Sequence, residues 1–116
     1  MSVQLPQFDP LLHQPLRTQI AAFLAARGEA SFSELKQAIG ATDGNLDSHM
    51  AKFIDVGYVK ARKEPAATGR AQTVFSLTPV GRKALTAYIA QLHALMVLSD
   101  APTPAAPAAP RRAKPA

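Results

Sequence analysis

The chain has 116 residues, of which 47% are apolar, and it carries a net charge of +5 at pH 7. This length suffices for one small domain with a single core. The absence of cysteine excludes a disulfide framework, a thiolate zinc site and a cysteine nucleophile, and it fits a reducing, cytoplasmic location. The first ten residues have neither a basic start nor an apolar run, so we expect no signal peptide. No segment of the sequence is long and apolar enough to predict a membrane span.

The first predicted helix runs from about Pro15 to Arg27. Pro15 suits a first-turn position, and Gly28 suits a C-terminal cap. Its apolar residues recur at helical spacing, namely Leu16, Ile20, Phe23 and Leu24. Residues 29–33 then allow a short extended piece.

Two further helices are predicted next, separated by a tight turn. Ser33 is the predicted N-cap of the second helix, which Gly40 ends. Thr42 is the predicted N-cap of the third helix, whose buried stripe comprises Leu46, Met50 and Phe53. A step of 100° per residue puts small and polar side chains on the opposite face: Gly44, Asn45, Ser48, Ala51, Lys52 and Asp55.

The second half of the chain predicts two strands and a long helix. Residues 58–64 and 73–77 read as strands joined by a turn that carries glycine and arginine. Thr78 caps the last helix and Pro79 begins it. From residue 99 the chain is rich in proline and alanine without periodicity, which predicts a folded domain over 1–98 and a disordered basic tail over 99–116.

This order of elements is typical of a winged helix-turn-helix, a mainly α fold with a small β-hairpin wing (α+β). The charge is unevenly distributed along it. Residues 58–84 contain six basic residues and one acidic residue, whereas residues 29–57 contain five acidic and two basic residues. A local basic patch favours a polyanionic partner, although a solvated, solubilising face explains the same pattern.

The outer face of the third helix has the side chains that a helix in a DNA major groove needs. Small residues let the backbone approach the base edges, and asparagine, serine and lysine side chains can bond to bases. The predicted base-reading residues are therefore Gly44, Asn45 and Ser48. The predicted contacts to the DNA backbone or groove are Thr42, His49, Lys52, Lys60, Arg62, Lys63 and Arg70. An ordinary solvent-facing helix and a charged edge strand are the alternatives.

Asp47 departs from this pattern, because an acid beside Ser48 repels phosphate. It fits a DNA-binding helix if it accepts a hydrogen bond from a cytosine amino group, or if it pairs with Lys36 or another nearby basic residue.

Three segments carry a resemblance to a known family. The segments "FDPLLHQPLRTQIAAFL", "FSELKQAIGATDGNLDSHMAKFIDVGYV" and "FSLTPVGRKAL" are similar to bacterial single-domain winged-helix regulators of the broad ArsR/MarR group, in the branch called winged helix DNA-binding domain. The resemblance implies a homodimeric transcription regulator. It also implies that the third helix enters the major groove of double-stranded DNA and that the wing meets the backbone or minor groove. Repression is the simplest expectation, since a small dimer can block a promoter.

The last helix is longer than a small domain needs, which favours a homodimer over a stripe that packs wholly on its own domain. The predicted interface residues are Phe8, Leu12, Leu85, Tyr88, Ile89, Leu92, Leu95 and Met96. Two other functions stay open. One is a protein-binding winged helix that uses the acidic third helix, and the other is a DNA-binding regulator that also senses an organic effector at the dimer interface.

We expect no catalysis, no cofactor and no metal site. His13, His49 and His93 are far apart in the sequence, and none has a ligand-like residue three or four positions later. A phosphate-binding glycine loop and a nucleophile motif are also absent from the sequence.

Overall fold

The computed structural model describes residues 5–65 and 69–100. Within these ranges the elements follow in the predicted order, and the predicted α+β winged helix is confirmed. The elements are α1 (Pro15–Arg27), β1 (Ala30–Ser31), α2 (Phe32–Ile39), α3 (Asp43–Asp55), β2 (Val59–Pro65), β3 (Ala71–Leu77) and α4 (Pro79–Asp100). No helix of the described ranges has the length and apolar character that crossing a bilayer requires.

The three strands form one antiparallel sheet in the order β1-β3-β2. β2 and β3 make a hairpin that is paired from Val59↔Leu77 at its base to Pro65↔Ala71 at its far end. β1 adds to the other edge of β3, with Ala30 opposite Phe75. Val59, Phe75 and Leu77 are buried at the base, so the far end of the hairpin projects away from the core.

The starts of the helices are set by local caps. Thr42 caps α3 by accepting from the Asn45 backbone N–H at 3.2 Å, as predicted. The prediction that Ser33 caps α2 is wrong, because Ser31 and Glu34 form a capping box. The Ser31 hydroxyl accepts from the Glu34 N–H at 3.1 Å, and Glu34 Oε1 accepts from the Ser31 N–H at 2.8 Å. α2 therefore begins at Phe32, directly after β1.

The core lies between the sheet and the helices. The predicted stripe of α3 is fully covered, which fixes the rotation of this helix about its axis. Ile54, which follows Phe53 on the helix, is exposed. The main core residues are Ile20 and Leu24 of α1, Leu35 of α2, Leu46, Met50 and Phe53 of α3, Val59, Phe75 and Leu77 of the sheet, and Leu85 and Tyr88 of α4.

The start of α4 packs directly on the backbone that leads into β2. The Thr78 N–H donates to the Tyr58 carbonyl at 3.0 Å. One turn later, a Cβ atom at Gly81 would lie 2.0 Å from the same carbonyl oxygen, so only glycine fits at this crossing. This close contact sets the position of α4 relative to the hairpin.

α4 runs to Asp100 and so includes residues 99 and 100, which the sequence had placed in the tail. The rest of the predicted tail, 101–116, lies outside the described residues.

Candidate nucleic-acid interface

The outer face of α3 carries the predicted base-reading residues. Gly44, Asn45 and Ser48 are all exposed, on the side of the helix away from its buried stripe. Thr42 at the start of the helix is also exposed; its hydroxyl accepts in the cap and keeps its proton for an external acceptor such as a phosphate. Lys52, two turns beyond Asn45 and exposed, adds a cation to the same surface. The first turns of α3 therefore present a small, polar surface without a large side chain.

His49 lies on the flank of α3, one turn beyond Asn45, and is half-buried. Arg17 of α1 contacts it, with 3.1 Å between Nη1 of Arg17 and Nδ1 of His49. Burial, and then the charges of Arg17 and Lys52, lower the pKa of His49 below its ordinary value. The imidazole is therefore neutral at pH 7.

The acidic residues of α3 differ in their surroundings. Asp43 pairs with Lys36 of α2 across the turn, with 2.7 Å between Oδ1 and Nζ. The hypothesis that Asp47 pairs with Lys36 is therefore wrong, because Asp43 holds that lysine. Asp47 is exposed beside Ser48, and in residues 5–65 and 69–100 it takes part in no ion pair. Its carboxylate is available to an external donor.

Three cations of the wing lie on β2. Side chains alternate along a strand, so Lys60 and Arg62 point to one face of the hairpin and Lys63 to the other. Lys60 and Lys63 are exposed, and neither pairs with an acid within the described chain. Both ammonium groups can therefore meet a phosphate.

Arg62 differs from these two lysines, because two carboxylates hold its guanidinium. Nη1 and Nη2 donate to the two oxygens of Glu29 at 2.9 and 3.1 Å, and Nη2 also donates to Glu64 at 2.7 Å. These bonds raise the pKa of Arg62 and lower the pKa of Glu29. These two carboxylates balance the charge of Arg62 and would compete with a phosphate for it, so its contact with DNA stays a prediction.

Arg70 lies on the returning side of the hairpin turn, one residue before β3, and is exposed. Gly69 precedes it with φ of 88°, a left-handed conformation that glycine adopts without strain. Residues 66–68 lie outside the described ranges. Arg70 thus stays at the far end of the wing, where the sequence had placed it.

The residues predicted for the dimer interface divide into two groups. Leu12, Leu85 and Tyr88 are only 1%, 5% and 4% exposed within the single chain. They belong to its own core, and their prediction as interface residues is corrected. Phe8 and Leu92 are partly covered by the same core. The later part of α4 is different, since Ile89, Leu95 and Met96 are 53%, 41% and 60% exposed.

Sequence reasoning left several residues of these surfaces without a role. Val97 and Leu98 extend the exposed apolar surface of α4, and the run "LMVL" was a visible signal for them. Arg17 of α1 contacts a histidine of α3. Nothing in the sequence pairs Arg17 with His49, because they lie 32 positions apart. The described residues contain no group of three or more His, Cys, Asp or Glu side chains that could hold a metal.

Comparison with known proteins agrees with this geometry. Residues 16–96 match the family model described as winged helix DNA-binding domain. An uncharacterized protein of Methanocaldococcus jannaschii is 32% identical over 82 residues, which is 71% of this chain and 88% of that protein.

Solved structures show the same likeness. The structure of a transcriptional regulator homologue from Pyrococcus horikoshii OT3 has a TM-score of 0.73 at 31% identity, covering 80% of this chain and 91% of that one. A PadR-like transcriptional regulator from Bacillus cereus shares the fold alone, with a TM-score of 0.64 at 11% identity over 79% of this chain and 94% of that one. Because the matched family model spans well over half of it, the chain belongs to the winged helix DNA-binding domain family, whose fold is that of transcription regulators and not of enzymes.

Proposed function

We propose that the protein is a sequence-specific, double-stranded-DNA-binding regulator of transcription that acts as a homodimeric repressor. The observation that carries the proposal is the exposed face of α3. There Gly44, Asn45 and Ser48 form a small polar surface on a helix whose opposite side is locked into the core. A helix with such a face can lie deep in a major groove, where Asn45 can pair with adenine and Ser48 with several bases.

The charges outside α3 support the same proposal. Lys52, Lys60, Lys63 and Arg70 are exposed cations on α3 and the wing, and each can neutralise one phosphate. With α3 in the major groove, the far end of the hairpin reaches the neighbouring backbone or minor groove, where Arg70 meets an enhanced negative potential. These contacts would position the protein on the duplex while α3 reads the sequence.

The homodimer is proposed from the last turns of α4. Leu95 and Met96 continue the apolar stripe of this helix beyond Leu92, which still packs on the core, and Ile89 is an exposed apolar residue one turn before Leu92. A second copy that packs on this surface in a two-fold arrangement would bury it on both subunits. Such a dimer would place two α3 helices on a palindromic operator. The assignment to the bacterial ArsR/MarR group likewise stays a proposal, supported by the motif resemblance.

The test is equilibrium binding of the purified protein to duplexes selected from a random pool, measured over a series of salt concentrations. We expect enrichment of a palindromic sequence and an affinity that falls steeply with salt, because each phosphate contact releases counterions. A protein that binds no duplex, or binds with no salt dependence, contradicts the proposal. In that case the exposed acids Asp47 and Asp55 of α3 would favour a protein partner.

A further inference from the structure

The guanidinium of Arg17 is held by two acceptors that belong to different parts of the fold. Nε donates to the Leu11 carbonyl at 2.6 Å, and Nη1 lies 3.1 Å from Nδ1 of His49. The backbone of Arg17 is fixed as well, because its N–H donates to Gln14 Oε1 at 2.8 Å in the cap of α1. Arg17 is therefore a rigid connection between the start of α1 and the flank of α3.

The chemistry of this contact determines where the proton of His49 lies. A guanidinium has five N–H donors and no acceptor, so Nδ1 of His49 must be the acceptor. A neutral imidazole that accepts at Nδ1 carries its proton on Nε2. A protonated ring would place its own N–H against the N–H of Arg17. It would also bring the positive imidazolium next to the positive guanidinium. Burial, and then the charges of Arg17 and Lys52, lower the pKa of His49, which favours the same neutral ring.

We propose that Arg17 is a positioning residue for DNA binding, which holds His49 as the neutral Nε2–H tautomer and orients that N–H as a donor to a backbone phosphate. This inference rests on the proposed function. His49 lies within one turn of both Asn45 and Lys52, on the flank of the surface that would face the duplex. Lys52 then supplies charge to the backbone, while His49 supplies one directed hydrogen bond that sets the register of α3.

The first experiment is ¹⁵N NMR of the imidazole nitrogens in the free protein at pH 7.5. We expect His49 to carry its proton on Nε2, with Nδ1 unprotonated. In Arg17→Met the His49 pKa should rise, because one of the charges that lowers it is gone. Arg82→Met is the matched control, since it removes one exposed arginine that lies outside the proposed DNA-contacting set. A wild-type ring with a proton on Nδ1, either as the neutral Nδ1–H tautomer or as the imidazolium, overturns the inference.

The second experiment compares duplex affinities of variants that separate the two ring nitrogens. The side-chain amide of asparagine reaches the position of Nδ1, and that of glutamine reaches the position of Nε2. His49→Asn keeps an acceptor for Arg17 but loses the outward donor, and we expect it to weaken binding roughly two- to tenfold, the worth of one hydrogen bond. His49→Gln keeps the outward donor and should retain more of the wild-type affinity.

A double-mutant cycle then tests whether Arg17 acts through His49. Arg17→Met should weaken binding by a similar factor for every duplex, and should add nothing in the His49→Asn background. Circular dichroism confirms that each variant is folded at the assay temperature. If Arg17→Met has the same effect in both backgrounds, or none in the wild type, the inference is overturned while the proposed function stands. If the wild type binds no duplex, both are overturned.

Discussion

The hydroxyl of Tyr58 donates a 2.6 Å hydrogen bond to Oδ2 of Asp9, and so ties the segment before α1 to the residue that precedes β2. The other carboxylate oxygen of Asp9 accepts from the Leu11 N–H at 2.9 Å. Further along the same segment, Nδ1 of His13 lies 2.9 Å from the Tyr88 hydroxyl of α4. The residues before α1 are thus bound to both the wing and the last helix.

The Tyr58–Asp9 bond predicts an unusual tyrosine titration. The hydrogen bond to Asp9, then burial and the negative charge of Asp9, raise the pKa of Tyr58 to about 12. A raised pKa means that the bond stabilises the fold below the ordinary tyrosine pKa of about 10 and that this contribution is lost as the pH rises towards 12. UV absorbance of the tyrosinate should show this late titration in the wild type, and Asp9→Asn should move it down. A Tyr58 that titrates at an ordinary pH in the wild type would contradict the bond.

Gly81 occupies a position that should not accept a side chain. In Gly81→Ala the new Cβ would meet the Tyr58 carbonyl at 2.0 Å, so α4 or the start of β2 must shift. We expect a loss of about 1–3 kcal/mol or more in the free energy of unfolding, measured with urea. Gly44→Ala is the matched control, because the space around Gly44 is open, and a helical alanine should be neutral or stabilising by up to about 1 kcal/mol. Equal unfolding midpoints for the two variants would refute this packing.

Replacing Asn45 should change which DNA sequence the protein prefers. If its amide pairs with a base edge, Asn45→Ala should cost roughly 1–3 kcal/mol against the best operator and relax the preference at one base position. Selection of bound duplexes by wild type and variant measures both effects. An unchanged preference at every position would mean that Asn45 does not read a base.

Asp47→Ser should tighten binding to all duplexes, or relax the preference at one base position if Asp47 accepts a hydrogen bond from a cytosine.

The two basic residues on one face of β2 should respond differently to removal. Lys60→Ala should reduce the dependence of log affinity on log salt by about 0.9, the value for one phosphate contact. Arg62→Ala removes the same charge but should leave the salt slope unchanged, because Glu29 and Glu64 already hold that guanidinium. Glu29→Gln should tighten binding, since one of the two carboxylates loses its charge. A larger slope change for Arg62→Ala than for Lys60→Ala would contradict the geometry.

The two ends of the α4 stripe should behave differently when a charge is introduced. Met96 is exposed in the single chain, so Met96→Lys should convert a dimer into folded monomers. Leu85 is buried in the core, so Leu85→Lys should unfold the protein instead, because an unpaired charge would be buried. Light scattering and circular dichroism distinguish the two outcomes. A wild type that is monomeric at high micromolar concentration would disprove the dimer.

The order of the winged-helix elements and most of their ends follow from local sequence. These depend on residues within a turn or two of each other. α1 begins at Pro15 and is capped at its end by Gly28, Gly40 ends α2, and Thr42 caps α3, as local backbone chemistry requires. The buried stripe of α3 followed from helical period alone. The one misplaced cap, Ser33 in place of Ser31, arose because two serines two positions apart offer the same chemistry. Only Ser31 has a glutamate three residues later.

Which of the candidate residues are free to act depends on contacts between distant parts of the chain. Arg62 looked like the neighbouring lysines until the docking of β1 brought Glu29, 33 positions away, onto its guanidinium. Leu85 and Leu95 belong to one apolar stripe, but the domain covers the first and leaves the second exposed, because α4 extends past the body it packs on. Arg17 meets His49 only because the fold brings the start of α1 to the flank of α3. Such contacts join residues distant in the chain, so no local pattern encodes them.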